Sequence, residues 1–131
     1  VSDIKPGDMF VGNDPYNGGG THLNDITIAA PIFASNGKLI GWAANLAHHS
    51  DIGGKEPGST CGDAVSIFQE GLKIPLVRIC RNGEPIADIV DSFSAILGSQ
   101  TSAMVTFRLR SLPIVWVPAV FRMPIRVMET C

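Results

Sequence analysis

All three histidines of the chain lie within residues 13–51, together with three of its aspartates. The histidines are His22, His48 and His49, and the aspartates are Asp14, Asp25 and Asp51. Imidazole and carboxylate groups are the ligands that divalent transition metals take in proteins. The stretch is therefore a candidate metal site, provided that the fold brings its two ends together.

Two apolar runs of strand length connect those ends. They span residues 25–33 and 39–47, and the pair Asn36-Gly37 lies between them. Asn-Gly predicts a two-residue hairpin turn, because both turn positions need a positive φ. Such a turn places His48 directly opposite Asp25, and Asp51 opposite His22 if the pairing extends that far. Opposed side chains have Cβ atoms about 5 Å apart, so they can share one ion, whereas a longer loop would shift the pairing.

Other roles stay open for individual residues. Neighbours on a strand face opposite sides, so His48 and His49 cannot both bind the ion that Asp25 binds. Asp51 is suited to orienting a ligand histidine through its second ring nitrogen. The alternative for His22 and Asp25 is a turn in which the aspartate accepts backbone hydrogen bonds.

Two further carboxylates are candidate catalytic groups. Asp14 lies in an Asn-Asp-Pro sequence, and Glu70 precedes Gly71 after an apolar segment. A carboxylate near a metal can act as a general acid or base. The alternatives are a turn-forming role for Asp14 and a surface position for Glu70.

Composition excludes several classes of protein. The chain has 131 residues with 45% hydrophobic and 17% charged residues, which indicates one folded domain and excludes a disordered chain. The net charge of −2 and the absence of a basic run argue against nucleic-acid or anionic-membrane binding. No apolar run is long enough to span a bilayer. Three unpatterned cysteines argue against a disulfide framework, so we expect a cytoplasmic protein.

The pattern of elements predicts an α+β fold, with a mostly antiparallel sheet built on the central hairpin and one helix packed against it. Residues 7–12 and 72–80 have strand character, and residues 52–62 form a loop rich in glycine. Residues 85–97 carry an apolar stripe at helical spacing, with Pro85 expected in the first turn.

The last part of the chain differs from the rest. All 14 glycines lie at or before Gly98, and residues 101–131 have a positive charge balance. We therefore divide the chain into residues 1–100 and a C-terminal segment of residues 101–131. Within that segment, residues 112–121 are apolar enough to form a closing strand.

The chain resembles the hydantoinase B/oxoprolinase family, which includes the B subunits of ATP-dependent hydantoinases, 5-oxoprolinases, and subunits of acetone and acetophenone carboxylases. The resemblance covers approximately residues 1–96. The matching motifs are Asn13-Asp14-Pro15-Tyr16, Gly19-Gly20-Thr21-His22-Leu23-Asn24-Asp25, Ala47-His48-His49-Ser50-Asp51-Ile52-Gly53-Gly54, Pro57-Gly58-Ser59 and Ile67-Phe68-Gln69-Glu70-Gly71-Leu72. Family members are several times longer, so the chain resembles an N-terminal fragment.

The resemblance implies a divalent metal ion, Mn, Zn or Fe, held by His22, Asp25 and His48, with His49 as the substitute for His48. It also implies a metal-dependent subunit of an ATP-dependent cyclic-amide hydrolase acting on a small-molecule substrate. A hydantoinase A-type subunit or domain would use the ATP. The alternatives are a ketone carboxylase subunit and a non-catalytic fragment or assembly module. As an isolated fragment, the chain is expected to be inactive.

Overall fold

The computed structural model describes residues 3–17 and 20–97. These residues form a five-stranded antiparallel sheet in the order β3-β2-β1-β4-β5, followed by one helix. The strands are β1 (Met9–Gly12), β2 (Asp25–Phe33), β3 (Leu39–His48), β4 (Val77–Arg81) and β5 (Glu84–Pro85), the helix is α1 (Ala87–Leu97), and a single 3-10 turn spans Ile67–Gln69. The predicted α+β class with a mostly antiparallel sheet is confirmed.

β1 lies at the centre of the sheet and its side chains alternate between two faces. Met9 and Val11 point into the main core, which α1 covers with Ile89 and Phe93. Phe10, on the opposite face, is also buried and packs edge-on against Trp42 with 5.8 Å between the ring centroids. The remaining buried members of the core are Leu23, Ile26, Ile52, Ile74, Ile79 and Cys80. The expected packing of the helix on the sheet is confirmed.

The β2–β3 hairpin has the predicted register but a different turn. Asp25 pairs with His48, and the same register continues to the pair Ile32–Gly41. The predicted two-residue Asn36-Gly37 turn is wrong, because the Ala34 N–H donates to the Lys38 carbonyl (2.9 Å) and closes a three-residue loop. Only Gly37 of the Asn-Gly pair has a positive φ (79°). A three-residue loop with glycine in this conformation is the next commonest hairpin connection.

A bulge in β3 restores the register that the longer loop would have shifted. Phe33 pairs with Leu39, whereas Ile32 pairs with Gly41, so Ile40 is the extra residue. One inserted residue moves every following side chain to the other face of a strand, and the bulge cancels the extra loop residue. His48 therefore lies opposite Asp25 as predicted, although one part of the reason was wrong.

Two other boundaries differ from the prediction. β4 begins at Val77 and not at residue 72, because Leu72 donates to the Ile52 carbonyl (3.0 Å) and Ile74 donates to the Asn13 side chain (2.6 Å). Pro85 belongs to β5 and not to the first turn of the helix. The Ile86 N–H donates to the Ile79 carbonyl (2.8 Å), and α1 starts at the next residue, Ala87.

Some expectations lie beyond the described residues. The possible closing strand at residues 112–121 falls outside them. Within the described ranges, no helix combines the length and the apolar composition that crossing a membrane requires. The cytoplasmic location stays a prediction.

The Asn13 side chain joins three segments of the chain at the end of β1. Its amide nitrogen donates to the carbonyls of Leu23 (2.7 Å) and Leu72 (2.9 Å), and its amide oxygen accepts from the Ile74 N–H (2.6 Å). Asn13 is 3% exposed, so these backbone groups have little access to water. The three hydrogen bonds hold the loop that carries His22 against residues 72–74.

Replacing Asn13 with alanine should destabilise the fold by about 2–4 kcal/mol, because it leaves three buried backbone groups without a partner. Urea unfolding measures the change in the free energy of unfolding. Asn45→Ala, on the exposed part of β3, is the control and should change stability by less than about 0.5 kcal/mol. Equal midpoints for the two variants would show that the Asn13 bonds contribute nothing.

Candidate metal centre

A tight turn places His22 and Asp25 next to each other. The Asp25 N–H donates to the His22 carbonyl (3.3 Å), and the two residues between them, Leu23 and Asn24, are buried. Because those two side chains point inward, His22 and Asp25 are left at the rim of the turn, partly exposed. The motif therefore forms a turn, but the contacts of the Asp25 carboxylate among the described residues are with the Thr21 hydroxyl and the His22 ring and not with backbone N–H groups, so the alternative in which this carboxylate holds the turn is not what the structure shows.

Asn24 fixes this turn to the end of β3. Its side-chain nitrogen donates to the His49 carbonyl (2.8 Å), and the His49 N–H donates to the Asn24 carbonyl (2.8 Å). Asn24 is 2% exposed. These two bonds continue the β2–β3 connection beyond its last pair, Asp25–His48, and bring His48 over the 22–25 turn.

Three donor side chains converge at this position. The Nε2 atom of His22 lies 3.6 Å from Oδ2 of Asp25, and the ring centroids of His22 and His48 are 5.0 Å apart. One donor atom from each of the three residues lies within 4.8 Å of the other two. The Thr21 hydroxyl lies 3.4 Å from Oδ2 of Asp25 and donates a weak hydrogen bond to it.

The donor set is suited to a divalent transition metal. Zinc–nitrogen and zinc–oxygen bonds are about 2.0–2.2 Å long, so two donors on one ion lie at most about 4.4 Å apart. The span of 4.8 Å is close to this limit, and the side chain of His22, 42% exposed, has room to rotate. Two imidazoles and one carboxylate bind Zn, Mn or Fe in other proteins and leave coordination positions open.

His49 occupies a different environment from His48. It is 8% exposed, whereas His48 is exposed, and its Nε2 atom is buried without a hydrogen-bond partner among the described residues. Burial, and secondarily the nearby His48, holds the pKa of His49 below its usual value and favours the neutral ring. His49 is not a member of the converging group, as expected for the neighbour of His48 on a strand.

Asp51 belongs to the loop after β3. The strand pairing ends at Asp25–His48, so the condition under which Asp51 would lie opposite His22 is not met. Its carboxylate accepts from the N–H groups of Gly53 (2.8 Å) and Gly58 (3.2 Å), which lower its pKa, and from the Ser59 hydroxyl (3.2 Å). These hydrogen bonds within the loop explain the position of Asp51. Its role in orienting a ligand histidine stays a prediction.

Asp14 and Glu70 lie outside the converging group. Asp14 accepts from the Tyr16 N–H (3.0 Å) and the Asn17 amide (2.9 Å) and contacts the Lys73 ammonium (3.3 Å). Glu70 ends the 3-10 turn, where its N–H donates to the Ile67 carbonyl (3.1 Å). Both carboxylates have positions that local structure explains, and their catalytic roles stay predictions.

Sequence reasoning missed the two asparagines that assemble the site. Asn13 and Asn24 stand directly before Asp14 and Asp25 in the motifs, but an asparagine in that position ordinarily indicates a turn. Their amides are buried and bind backbone groups from other segments. The one sequence feature that could have indicated their role is their position directly before Asp14 and Asp25. Residue type alone does not reveal which distant carbonyl group an asparagine amide will bind.

Comparison with known proteins identifies the family. A sequence model of the hydantoinase B/oxoprolinase family matches residues 1–111. The chain therefore belongs to the hydantoinase B/oxoprolinase family, and the resemblance expected from the motifs is confirmed. The match extends past residue 100, where the sequence suggested a boundary, and the separate character of residues 101–131 stays a prediction.

Particular relatives include hydrolases and a carboxylase. The chain is 44% identical over 80 residues to 5-oxoprolinase of Saccharomyces cerevisiae, which covers 61% of this chain and 6% of that protein. It is 33% identical over 109 residues to the acetophenone carboxylase delta subunit of Aromatoleum aromaticum, covering 83% and 16%. The structure resembles an ATP-dependent caprolactamase from Pseudomonas jessenii, with 30% identity, a TM-score of 0.68 and coverage of 77% and 17%. The chain therefore spans less than a fifth of each relative.

The acid side of the stability profile should depend on Asp14. The Asn17 amide, the Tyr16 N–H and Lys73 hold the pKa of Asp14 below the value of about 3.9 expected in the unfolded chain. The unfolded chain then binds more protons, so this stabilisation is present above about pH 4 and is lost as the pH falls through the folded-state pKa. Asp14→Asn should lower the unfolding midpoint at pH 7 and flatten the acid-side loss.

Urea unfolding between pH 2 and pH 7 measures that profile. Asn17→Ala removes the largest cause of the lowered pKa and should shift the profile in the same direction by a smaller amount. A wild-type profile in both variants would contradict this account of Asp14.

Proposed function

We propose that the chain forms the metal-binding part of the B-type component of an ATP-dependent cyclic-amide hydrolase of the hydantoinase/5-oxoprolinase type. The observation that carries the proposal is the convergence of His22, Asp25 and His48 within 4.8 Å. Family membership supports it, as does the likeness to 5-oxoprolinase and to an ATP-dependent caprolactamase. Each of these two relatives is named for a cyclic amide as its substrate.

The three side chains have complementary tasks at the centre. His22 and His48 would offer imidazole nitrogens to a bound cation, and Asp25 would offer a carboxylate oxygen. The Thr21 hydroxyl holds Asp25 by donating to Oδ2, and Asn24 sets the distance between the turn and β3. A divalent ion bound there would supply a Lewis acid for an amide carbonyl or lower the pKa of a water molecule.

The exposure of the donors indicates where a substrate approaches. His22 and His48 lie at the protein surface, whereas Leu23, Asn24 and His49 close the inner side. A substrate therefore reaches the centre from the outer side, and in the assembled enzyme this side must be covered to exclude bulk water. Since the chain spans less than a fifth of its relatives, most of the substrate pocket comes from elsewhere.

The proposed partner is a hydantoinase A-type subunit or domain that uses ATP to activate the amide carbonyl. Stable cyclic amides open slowly, and phosphorylation of the carbonyl oxygen creates a good leaving group. The chain described here would then hold the metal ion at which the activated ring is opened. Without the partner, the chain alone should not turn over a cyclic amide.

Carboxylation of a ketone is the second candidate function. The acetophenone carboxylase delta subunit matches 83% of the chain, a larger share than 5-oxoprolinase matches. The same metal site would serve an enolate generated from the ketone. A chain that retains the fold but lacks metal would instead support the non-catalytic alternative.

Metal analysis of the purified chain tests the centre. We expect one bound Zn, Mn or Fe ion per chain and at least about tenfold weaker binding in His22→Ala, Asp25→Ala and His48→Ala, since each loses one ligand of three. Asp63→Ala removes an exposed carboxylate that pairs with Lys55 and should retain full binding. Unchanged metal content in all three ligand variants would exclude this centre.

Turnover assays with the complete enzyme separate the two reactions. With ATP and the partner present, 5-oxoproline or hydantoin should be hydrolysed, and His22→Ala should reduce the rate by at least about a hundredfold. Carboxylation of acetophenone with no hydrolysis of either cyclic amide would select the second candidate.

A further inference from the structure

Lys73 carries a positive charge next to Asp14 and lies outside the converging group of His22, Asp25 and His48. Its Nζ atom lies 3.3 Å from Oδ2 of Asp14 and 5.9 Å from the centroid of the Phe68 ring. The Lys73 side chain is 30% exposed, so the ammonium group remains accessible to solvent.

Hydrogen bonds of Asn13 place the backbone segment that leads into Lys73 next to the segment that follows His22. One amide nitrogen of Asn13 donates to both the Leu23 and the Leu72 carbonyls, so these two carbonyls lie side by side. Leu23 follows His22 and Leu72 precedes Lys73, so the two backbone segments run next to each other. A Cβ on Gly20 would lie 3.8 Å from the Asn13 carbonyl oxygen and 3.9 Å from that of His22, which shows that the loop folds back here.

The surroundings of Lys73 resemble a recognition site for a small anion with an apolar body. Asp14 fixes the direction of the ammonium, and its carboxylate is also engaged by Tyr16 and Asn17. An ammonium has three donors, and among the described residues Asp14 is the one polar group that it contacts. The Phe68 ring near Lys73 is 72% exposed, and Tyr16, whose backbone N–H binds Asp14, is 77% exposed. Exposed aromatic surface next to a fixed charge is typical of binding sites.

We propose that Lys73 binds an anionic oxygen group of the molecule processed at the metal centre, with Phe68 packing against the apolar ring atoms of that molecule. The inference rests on the proposed function. Two sources supply the same chemistry: a carboxylate that belongs to the substrate, as in 5-oxoproline, and the phosphoryl group that the ATP step adds. Lys73 then distinguishes charged from uncharged molecules, and Asp14 acts as its positioning residue.

Titrations of the isotope-labelled chain with three probes test this role by nuclear magnetic resonance. The probes are 5-oxoproline, its uncharged analogue 2-pyrrolidinone, and inorganic phosphate. We expect 5-oxoproline or phosphate to shift the Lys73 side-chain and Phe68 ring signals. Lys73→Met should weaken that binding by roughly tenfold or more, because it removes a charge-assisted hydrogen bond.

Three comparisons control the result. Lys73→Arg retains the charge and should restore most of the affinity, and Lys38→Met, in the hairpin loop, should leave it unchanged. Binding of 2-pyrrolidinone should be weak and insensitive to Lys73. Dependence of 5-oxoproline binding on Lys73 assigns the carboxylate as the source, and dependence of phosphate binding assigns the phosphoryl group.

Equal affinity of Lys73→Met and the unaltered chain for both anions would overturn the inference. The metal content of the same samples separates this failure from failure of the proposed function. A chain that holds its metal but binds neither anion through Lys73 keeps the metal centre and loses this role. A chain that binds an anion through Lys73 but holds no metal keeps the role of Lys73 and loses the proposed metal centre.

Discussion

Two buried asparagine side chains hold the described structure together at the place where its chemistry lies. Asn13 joins the end of β1 to the carbonyls of Leu23 and Leu72 and to the Ile74 N–H, and Asn24 joins the 22–25 turn to the segment after β3. A buried backbone group without a partner costs roughly 1–3 kcal/mol, so each amide excludes alternative positions of the loops that it binds. The loops around the centre can therefore be irregular and still have one arrangement.

This constraint explains why the candidate metal ligands lie on the surface and are nevertheless close together. Leu23 and Asn24 occupy the interior, which leaves His22 and Asp25 on the outer side of the same turn. His48 joins them because it is the last paired residue of β3. Exposed donor groups on a rigid base would suit the proposed centre, since the base keeps its geometry while the outer side remains open.

The same arrangement relates the chain to its family. The relatives include 5-oxoprolinase, a carboxylase subunit and an ATP-dependent caprolactamase, and this chain corresponds to a small part of each. A shared core that holds a metal ion next to a fixed cation would serve ring opening and carboxylation alike, because both reactions develop negative charge on oxygen. The choice of substrate would then depend on the parts of those proteins that cover the open side.

The sequence by itself determined which residue types crowd into the 13–51 stretch, the α+β class, and the pairing of Asp25 with His48, because strand periodicity and turn signals are local. Even there, the register was right although the turn was wrong, since the bulge at Ile40 offset the additional loop residue. The tertiary structure alone decided that the Asn24 side chain ties the 22–25 turn to His49, and that the Asp51 carboxylate binds within its own loop. It also decided that Asn13 joins Leu23 to residues 72–74 and that the Lys73 ammonium contacts Asp14. The Asn13 contacts join residues about sixty positions apart, and such contacts follow from the packing of the whole chain and not from any local pattern.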